Sequence, residues 1–140
     1  MAGVEVTTEH FPVVLVKFDA DQTMEDSQRF LDAMDEIHRL KQPYVSVSYM
    51  RKYNTDPKQV RRVGEWMKAN APLTKEYCVA TGIITQSLGF RFLLSSIFLI
   101  RPMPCPYQVC ASFAEAATFV RAQAARRGML LQAIPNLWNV

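Results

Sequence analysis

The regular alternation of short β-branched runs with longer amphipathic segments constrains the fold more than any other feature of this chain. Runs of about four to eight residues rich in valine and isoleucine predict strands, and apolar residues spaced about three or four apart predict helices. The predicted strands are Val4–Thr8, Val13–Phe18, Tyr44–Met50, Cys78–Thr85 and Tyr107–Ala111. The predicted helices are Met24–Leu40, the segment that begins at Pro57 and ends before Pro72, Ser87–Ile100 and Ser112–Gly128.

This order, β-β-α-β-α-β-α-β-α, predicts an α/β domain over residues 1–128. Strands that alternate with helices pair in parallel through crossover units, so we expect one mostly parallel mixed sheet of about five strands with about four helices. The short gap between the first two strands predicts an antiparallel hairpin at one edge. Gly64 lies inside the second helix, where a close helix–sheet contact would explain it. Residues 129–140 form an apolar tail that is expected to pack on the domain or on a partner.

Length and composition narrow the class of protein. A chain of 140 residues with 49% apolar and 21% charged residues is the size and make-up of one globular domain. Three cysteines are too few for a disulfide framework, and no signal-peptide pattern opens the sequence. The longest strongly apolar stretch, Phe92–Ile100, is far shorter than the roughly 20 residues that cross a bilayer. These observations predict a cytoplasmic protein that is not transmembrane.

The net charge of +3 conceals a gradient along the chain. Residues 1–36 hold nine acidic and two basic side chains, whereas the remaining residues hold four acidic and 14 basic ones. Such asymmetry can mark an anionic partner or simply two solvated faces of one domain. The basic residues are scattered and are not interleaved with exposed aromatic residues, which argues against a nucleic-acid partner.

Catalytic and cofactor motifs do not emerge from the sequence. The three cysteines and two histidines show no metal-ligand spacing, and the phosphate-binding glycine motifs are absent. Asp32, Asp35 and Glu36 lie opposite the apolar stripe of the first helix, as on a solvated face. We therefore predict no catalytic residue, no metal and no cofactor. Ser87 and Arg91, at a helix start, are candidates for holding an anion, although an ordinary helix cap explains them as well.

The third predicted helix, Ser87–Ile100, is apolar almost all round, with Arg91, Ser95 and Ser96 as its polar residues. A helix on one side of a sheet buries only part of its circumference, so the remainder must meet the tail, another subunit or a lipid. The tail could supply that cover through its own apolar residues, which are Leu130, Leu131, Ile134, Leu137 and Trp138. Candidate residues for a partner or ligand surface are Phe90, Leu94, Ile97, Phe98 and Trp138.

Several segments resemble the STAS superfamily, the small domains typified by anti-sigma-factor antagonists, and the related bacterial STAS-like or Sec14-like domains. The resemblance covers roughly residues 4–127. The segments that carry it are Phe18–Phe30, the alanine-containing strand Cys78–Thr85, Ser87–Arg91, Pro104–Val109 and the helix start Ser112–Ala117.

The resemblance implies a non-enzymatic switch or binding module. In anti-sigma-factor antagonists a serine at the start of the helix after the third strand is phosphorylated, and the matching turn here contains Asn54, Thr55 and Asp56. This turn lacks the serine and the glycine of the family pattern, and Thr55 or Asp56 can equally serve as a helix cap.

We therefore expect a regulatory or protein-interaction module with a protein partner. A homodimer formed through the third helix or the tail is also predicted. The alternative is a small protein of Sec14-like type that binds a lipid or another hydrophobic ligand.

Overall fold

The predicted alternation of strands and helices is present in the computed structural model, which describes residues 3–19, 22–51 and 56–140. The strands are β1 (Val4–Thr7), β2 (Val13–Phe18), β3 (Tyr44–Met50), β4 (Cys78–Ile84) and β5 (Tyr107–Cys110). The helices are α1 (Met24–Arg39), α2 (Pro57–Ala69), α3 (Ala71–Tyr77), α4 (Leu88–Ile100) and α5 (Phe113–Arg126).

The five strands form one mixed sheet in the order β1-β2-β3-β4-β5. The β1–β2 pair is antiparallel, and the β2–β3, β3–β4 and β4–β5 pairs are parallel. The prediction of an α/β domain with an N-terminal antiparallel hairpin is therefore confirmed. Among the described strands the order never reverses.

The prediction of four helices is wrong, because the segment between β3 and β4 contains two. Pro72 was expected to end the second helix, but α2 ends at Ala69 and Pro72 lies in the first turn of α3. Proline is tolerated there because the first amides of a helix have no partner within the helix. Proline thus marks a helix start in this segment.

One face of the sheet packs against α1 and α3. Val14, Val16 and Phe18 of β2 point into this helix-side core, which also contains Ile37 of α1. The layer is tied together by polar side chains as well, because Ser27 of α1 donates a 2.8 Å hydrogen bond to the amide oxygen of Gln59 in α2.

The opposite face of the sheet packs against α5 and the tail. Its core, the tail-side core, contains alternate residues of β2 and β3 together with Phe113 and Val120 of α5. The tail packs on the same core through Met129, Leu131, Ile134, Trp138 and Val140. The expectation that the tail could cover the third helix is therefore wrong, since the tail lies against α5 and its sheet face.

Gly82 is the position at which a helix approaches the sheet most closely. A Cβ atom at this residue would lie 2.8 Å from Cβ of Ala116 in α5. Gly64 was expected to mark such a contact, but a Cβ there would meet nothing within 4 Å. The expected close contact between a helix and the sheet therefore exists, but it joins α5 to β4. Gly82 permits it because glycine has no side chain to keep the helix away from the strand.

The strand β3 is buried on both faces. Its alternating valine and serine residues predicted a half-buried strand, yet Ser46 and Ser48 are buried, as are Val45 and Val47. Ser46 lies 3.4 Å from the hydroxyl of Thr81 in β4 and so gains a polar partner in the core. Both faces are covered because β3 is the central strand. None of the described helices is long and apolar enough to span a bilayer.

Candidate functional site

The helix α4 corresponds to the third predicted helix, and its ends follow from local chemistry. Ser87 is the N-cap, and its hydroxyl accepts a 3.2 Å hydrogen bond from the amide of Phe90. The helix ends at Ile100, and Pro102 and Pro104 follow, which cannot continue a regular helix. The serine cap and the prolines therefore limit this apolar helix to 13 residues.

The inner face of α4 packs on β5, the strand at the edge of the sheet. Leu94 is buried, and the ring of Phe98 meets the ring of Tyr107 edge-on with centroids 4.7 Å apart. Phe90 and Arg91 are half-buried along the same side. This arc is narrow, because one short edge strand offers little surface to a helix.

The outer face of α4 is open and mostly apolar, with the exposed Ser95 between Phe92 and Leu99 as its polar residue. Leu88, Phe92 and Leu99 fall on one line along the helix and are 80%, 75% and 84% exposed, and Ile100 beside them is 83% exposed. Leu93 and Ile97 extend this face and are also exposed. We call these six residues the α4 outer face. Single exposed apolar residues are ordinary, but a contiguous apolar helical face marks an interaction surface.

Two arginines lie near the ends of α4, and the first of them, Arg91, is half-buried on the inner side of the helix. Arg91 lies in the first turn and Arg101 directly follows the helix, so their backbone positions are about 15 Å apart along the axis. Neither guanidinium forms a salt bridge with any carboxylate of the described residues. No aspartate or glutamate occurs in the sequence between Glu76 and Glu115. The surface is therefore apolar in its middle and positively charged at both ends.

The predicted surface residues of this helix divide between its two faces. Ile97 lies on the α4 outer face, whereas Leu94 is buried and Phe90 and Phe98 face their own domain. The most exposed residues, which include Leu88 and Leu99, were not among the predictions. A helix that is apolar on all sides gives no periodic signal to tell its inner face from its outer one.

Trp138, the fifth predicted surface residue, lies on the other side of the sheet. Its ring contacts Tyr49 at a centroid distance of 5.8 Å and Phe113 at 6.1 Å. It therefore anchors the tail to the tail-side core, and it does not adjoin α4.

The predicted anion site at Ser87 and Arg91 contains groups that already have structural roles. The Ser87 hydroxyl caps α4, and Thr85 accepts a hydrogen bond from the Ser87 amide at 3.3 Å. The Arg91 side chain lies close enough to Cys110 to influence its pKa. Anion binding by Ser87 and Arg91 stays a prediction.

The predicted phosphorylation turn lies mostly outside the described residues, since Asn54 and Thr55 are not among them. Asp56 is described and is the N-cap of α2, where its carboxylate accepts a 2.9 Å hydrogen bond from the amide of Lys58. Phosphorylation at Thr55 stays a prediction.

A second cluster, which sequence reasoning missed, joins two of the cysteines inside the helix-side core. The hydroxyl of Thr81 lies 3.3 Å from the sulfur of Cys78 and 3.7 Å from that of Cys105. We call these three residues the thiol cluster. Tyr44 belongs to the same helix-side core as the thiol cluster. Its hydroxyl is 3.0 Å from Nε2 of His38.

The surroundings of His38 keep its imidazole neutral. Its ring stacks on Trp66 at a centroid distance of 5.7 Å, and Nδ1 has no hydrogen-bond partner among the described residues. Burial lowers the pKa of His38, and the carboxylate of Asp35 opposes this effect. Asp35 was expected on a solvated face, but it is half-buried and accepts a 2.9 Å hydrogen bond from the indole of Trp66.

Surface depressions and metal-ligand groups do not single out another site in the described part of the chain. One open depression lies on the acidic side of α1 and is lined by Asp32, Asp35 and Glu36. The other lies beside α5 and includes Gln108 and Phe119. Within residues 3–19, 22–51 and 56–140, no three histidine, cysteine or acidic side chains gather in a way that could hold a metal.

Comparison with known proteins adds no family to this description. Neither a protein-family model, nor a curated protein, nor a solved structure matches the chain.

Proposed function

We propose that this chain is a non-enzymatic, STAS-like interaction module that binds a protein partner through the α4 outer face. The observation that carries the proposal is the exposure of Leu88, Phe92, Leu99 and Ile100, each at least three quarters open on one helix. Aromatic residues are enriched at the buried centre of protein interfaces, and Phe92 is the aromatic residue of this face.

The charges indicate what the partner presents. Arg91 and Arg101 lie at the two ends of the patch without carboxylate partners in the described residues. A partner with an apolar groove and a carboxylate near each end would complement both features. Such charge pairs at the rim favour the correct partner and its orientation more than they add affinity.

A second copy of the chain fits this surface less well. If α4 packs on its two-fold mate, Arg91 and Arg101 of one copy meet arginines of the other in either helix direction, and like charges repel. The tail, the other surface predicted for a homodimer, packs on its own domain through Trp138 and its neighbours. The homodimer stays a prediction that the measured mass of the purified chain will test.

The lipid-binding alternative rests on the same apolar helix. The two depressions described above lie beside α1 and α5, and α4 itself is an open surface with its large apolar residues exposed. We therefore favour a protein partner and treat lipid binding as an outcome that the experiment below would reveal.

The test places a photo-crosslinking amino acid at Phe92 in cells that naturally express the chain. We expect a covalent adduct with one discrete protein, identified by mass spectrometry, and no such adduct from the same probe at exposed Asp32 on α1. The affinity of the purified partner is then measured for Phe92→Asp and Leu99→Asp. Each substitution is expected to cost about 2 kcal/mol of binding, or roughly 30-fold in Kd.

The matched control is Leu130→Asp, which changes an apolar residue that is 95% exposed on the tail, away from α4. It should leave the affinity unchanged, and Arg91→Glu with Arg101→Glu should weaken it. An adduct between two copies of the chain would assign α4 to a homodimer, and recovery of lipid alone would support the Sec14-like alternative. Equal losses in Leu130→Asp and Phe92→Asp would overturn the proposal.

A further inference from the structure

The thiol cluster brings together two free cysteines from opposite ends of the β4–α4–β5 unit. Cys78 begins β4, and Cys105 lies in the proline-rich connector that leads into β5. Both sulfurs approach the single hydroxyl of Thr81, which lies between them in the helix-side core. These two cysteines are far apart in the sequence, so their spacing does not predict that they meet in the fold.

A β-bulge at the start of β4 creates this contact. Tyr44 of β3 pairs with Cys78 and Val45 pairs with Ala80, so Val79 is an extra residue on β4. Strict alternation would put Cys78 and Thr81 on opposite faces of the sheet. The extra residue turns Cys78 to the same face as Thr81 and therefore toward Cys105.

The spacing of the backbone suits a covalent bridge. Thr81 pairs with Tyr107, so the chain just before β5 runs beside the first residues of β4. Neighbouring strands lie about 4.8 Å apart, and disulfide-bonded residues have Cα–Cα separations of about 4.4–6.8 Å. Cys78 and Cys105 therefore lie on adjacent segments of the chain, with both sulfurs within 3.7 Å of the same hydroxyl.

We propose that Cys78 and Cys105 form an intrachain disulfide when the protein meets a peroxide. The sulfur of Cys105 attacks one peroxide oxygen, the O–O bond breaks, and one water leaves as Cys105 becomes a sulfenic acid. The sulfur of Cys78 then attacks the sulfur of Cys105, and the second oxygen leaves as water with the proton of the Cys78 thiol. Two thiols lose two electrons in total, and one peroxide becomes two waters.

The two cysteines differ in a way that suits these roles. The hydrogen bond with Cys78 lowers the pKa of the Cys105 thiol, and the same contact raises the pKa of Cys78. Cys105 is also the slightly more exposed of the two. The third cysteine, Cys110, lies outside the cluster, and burial raises its pKa to about 11. Of the two buried thiols, Cys105 therefore has the greater thiolate character and is assigned the first step, with Cys78 beside it to resolve the sulfenic acid.

The bridge would act on the part of the fold that holds α4. It would join the residue that begins β4 to the connector that follows α4, so both ends of this unit would be fixed to each other. The inference does not depend on the proposed partner of α4, because it concerns only thiols inside the helix-side core.

The experiment treats the purified full chain with hydrogen peroxide, denatures it and alkylates the remaining thiols. We expect alkylatable thiols to fall from three to one, a mass lower by two hydrogen atoms before alkylation, and a linked peptide pair containing Cys78 and Cys105. Dithiothreitol should restore all three thiols. Cys110→Ser is the matched control and should keep the linked pair, whereas Cys105→Ser should lose it.

The wild-type peptide map decides the question even if a cysteine variant fails to fold. Irreversible oxidation of Cys105 without a linked peptide would overturn the proposal, as would a disulfide that includes Cys110. Three free thiols after treatment that oxidises the denatured chain would also overturn it, because the folded site would then be closed to peroxide.

Discussion

Replacing Gly82 with alanine tests the packing of α5 on the sheet. The added methyl carbon would lie 2.8 Å from Cβ of Ala116, 3.2 Å from its Cα and 3.3 Å from its carbonyl oxygen. Favourable contacts between carbon atoms lie at about 3.5–4.0 Å. None of the three atoms belongs to a flexible side chain, so α5 itself must move away from β4 by roughly 1 Å.

The expected loss in the free energy of unfolding follows from the residues that α5 buries. Phe113, Val120 and Ala124 of this helix are buried in the tail-side core, and a shift of the whole helix loosens all of their contacts. Overpacking of a tight core costs about 1–3 kcal/mol, and we expect the upper half of that range because backbone has to move. With a urea m-value of about 2 kcal/mol/M, the unfolding midpoint should fall by about 1 M.

A double-mutant cycle makes this test specific. Ala116→Gly alone should cost about 1–2 kcal/mol, through helix propensity and a lost buried methyl group. Added to Gly82→Ala it removes the clashing atom, so the double variant should be more stable than the sum of the single changes by about 2 kcal/mol. Urea unfolding followed by circular dichroism measures all four proteins. A midpoint for Gly82→Ala within about 0.2 M of wild type, or an additive cycle, would refute the reasoning.

Three further changes probe other parts of the molecule. Gly64→Ala should stabilise the chain by about 0.5–1 kcal/mol, because the added methyl meets nothing and alanine favours the helix; a lower urea midpoint would contradict this. Burial holds the pKa of His38 below 6.5 in the folded protein, so the unfolded chain binds the extra proton first. The free energy of unfolding should therefore fall as the pH drops below 6.5, and His38→Gln should flatten that part of the pH profile; identical profiles would show that this residue does not contribute. Trp138→Ala should destabilise the fold by about 2 kcal/mol and expose the tail to limited proteolysis, because its ring contacts Tyr49 and Phe113; unchanged cleavage of the tail would show that these contacts do not hold it.

The strand and helix order could be predicted from sequence because each element carries a clear hydrophobic period. Prediction failed where one local signal is compatible with two structures. Pro72 is the example, because proline occurs both just after the end of a helix and in the first turn of a helix. The half-buried reading of β3 failed for a related reason. Serine looks like a surface residue until a polar partner such as Thr81 is found on the next strand.

The candidate sites could be predicted only in part. The unusual apolarity of Ser87–Ile100 identified the correct helix, but which side faces outward depends on how little of it β5 covers. The thiol cluster could not be predicted, because one extra residue at Val79 decides which face Cys78 occupies. A register shift of this kind leaves no trace in composition or spacing.

The uninterrupted strand order has a consequence for how the chain folds. Each strand from β2 to β5 is added next to the strand that precedes it in sequence, so every pairing is between neighbours along the chain. Each parallel pairing closes one strand–helix–strand connection, so the sheet can grow one strand at a time in step with synthesis. The face of the sheet that bears the tail-side core is covered last, because α5 and the tail follow every strand in the sequence. We therefore expect amides of β2 and β3 to gain protection in pulse-labelled hydrogen exchange before those of α5, with the valine-rich face of the sheet exposed to chaperones in the interval.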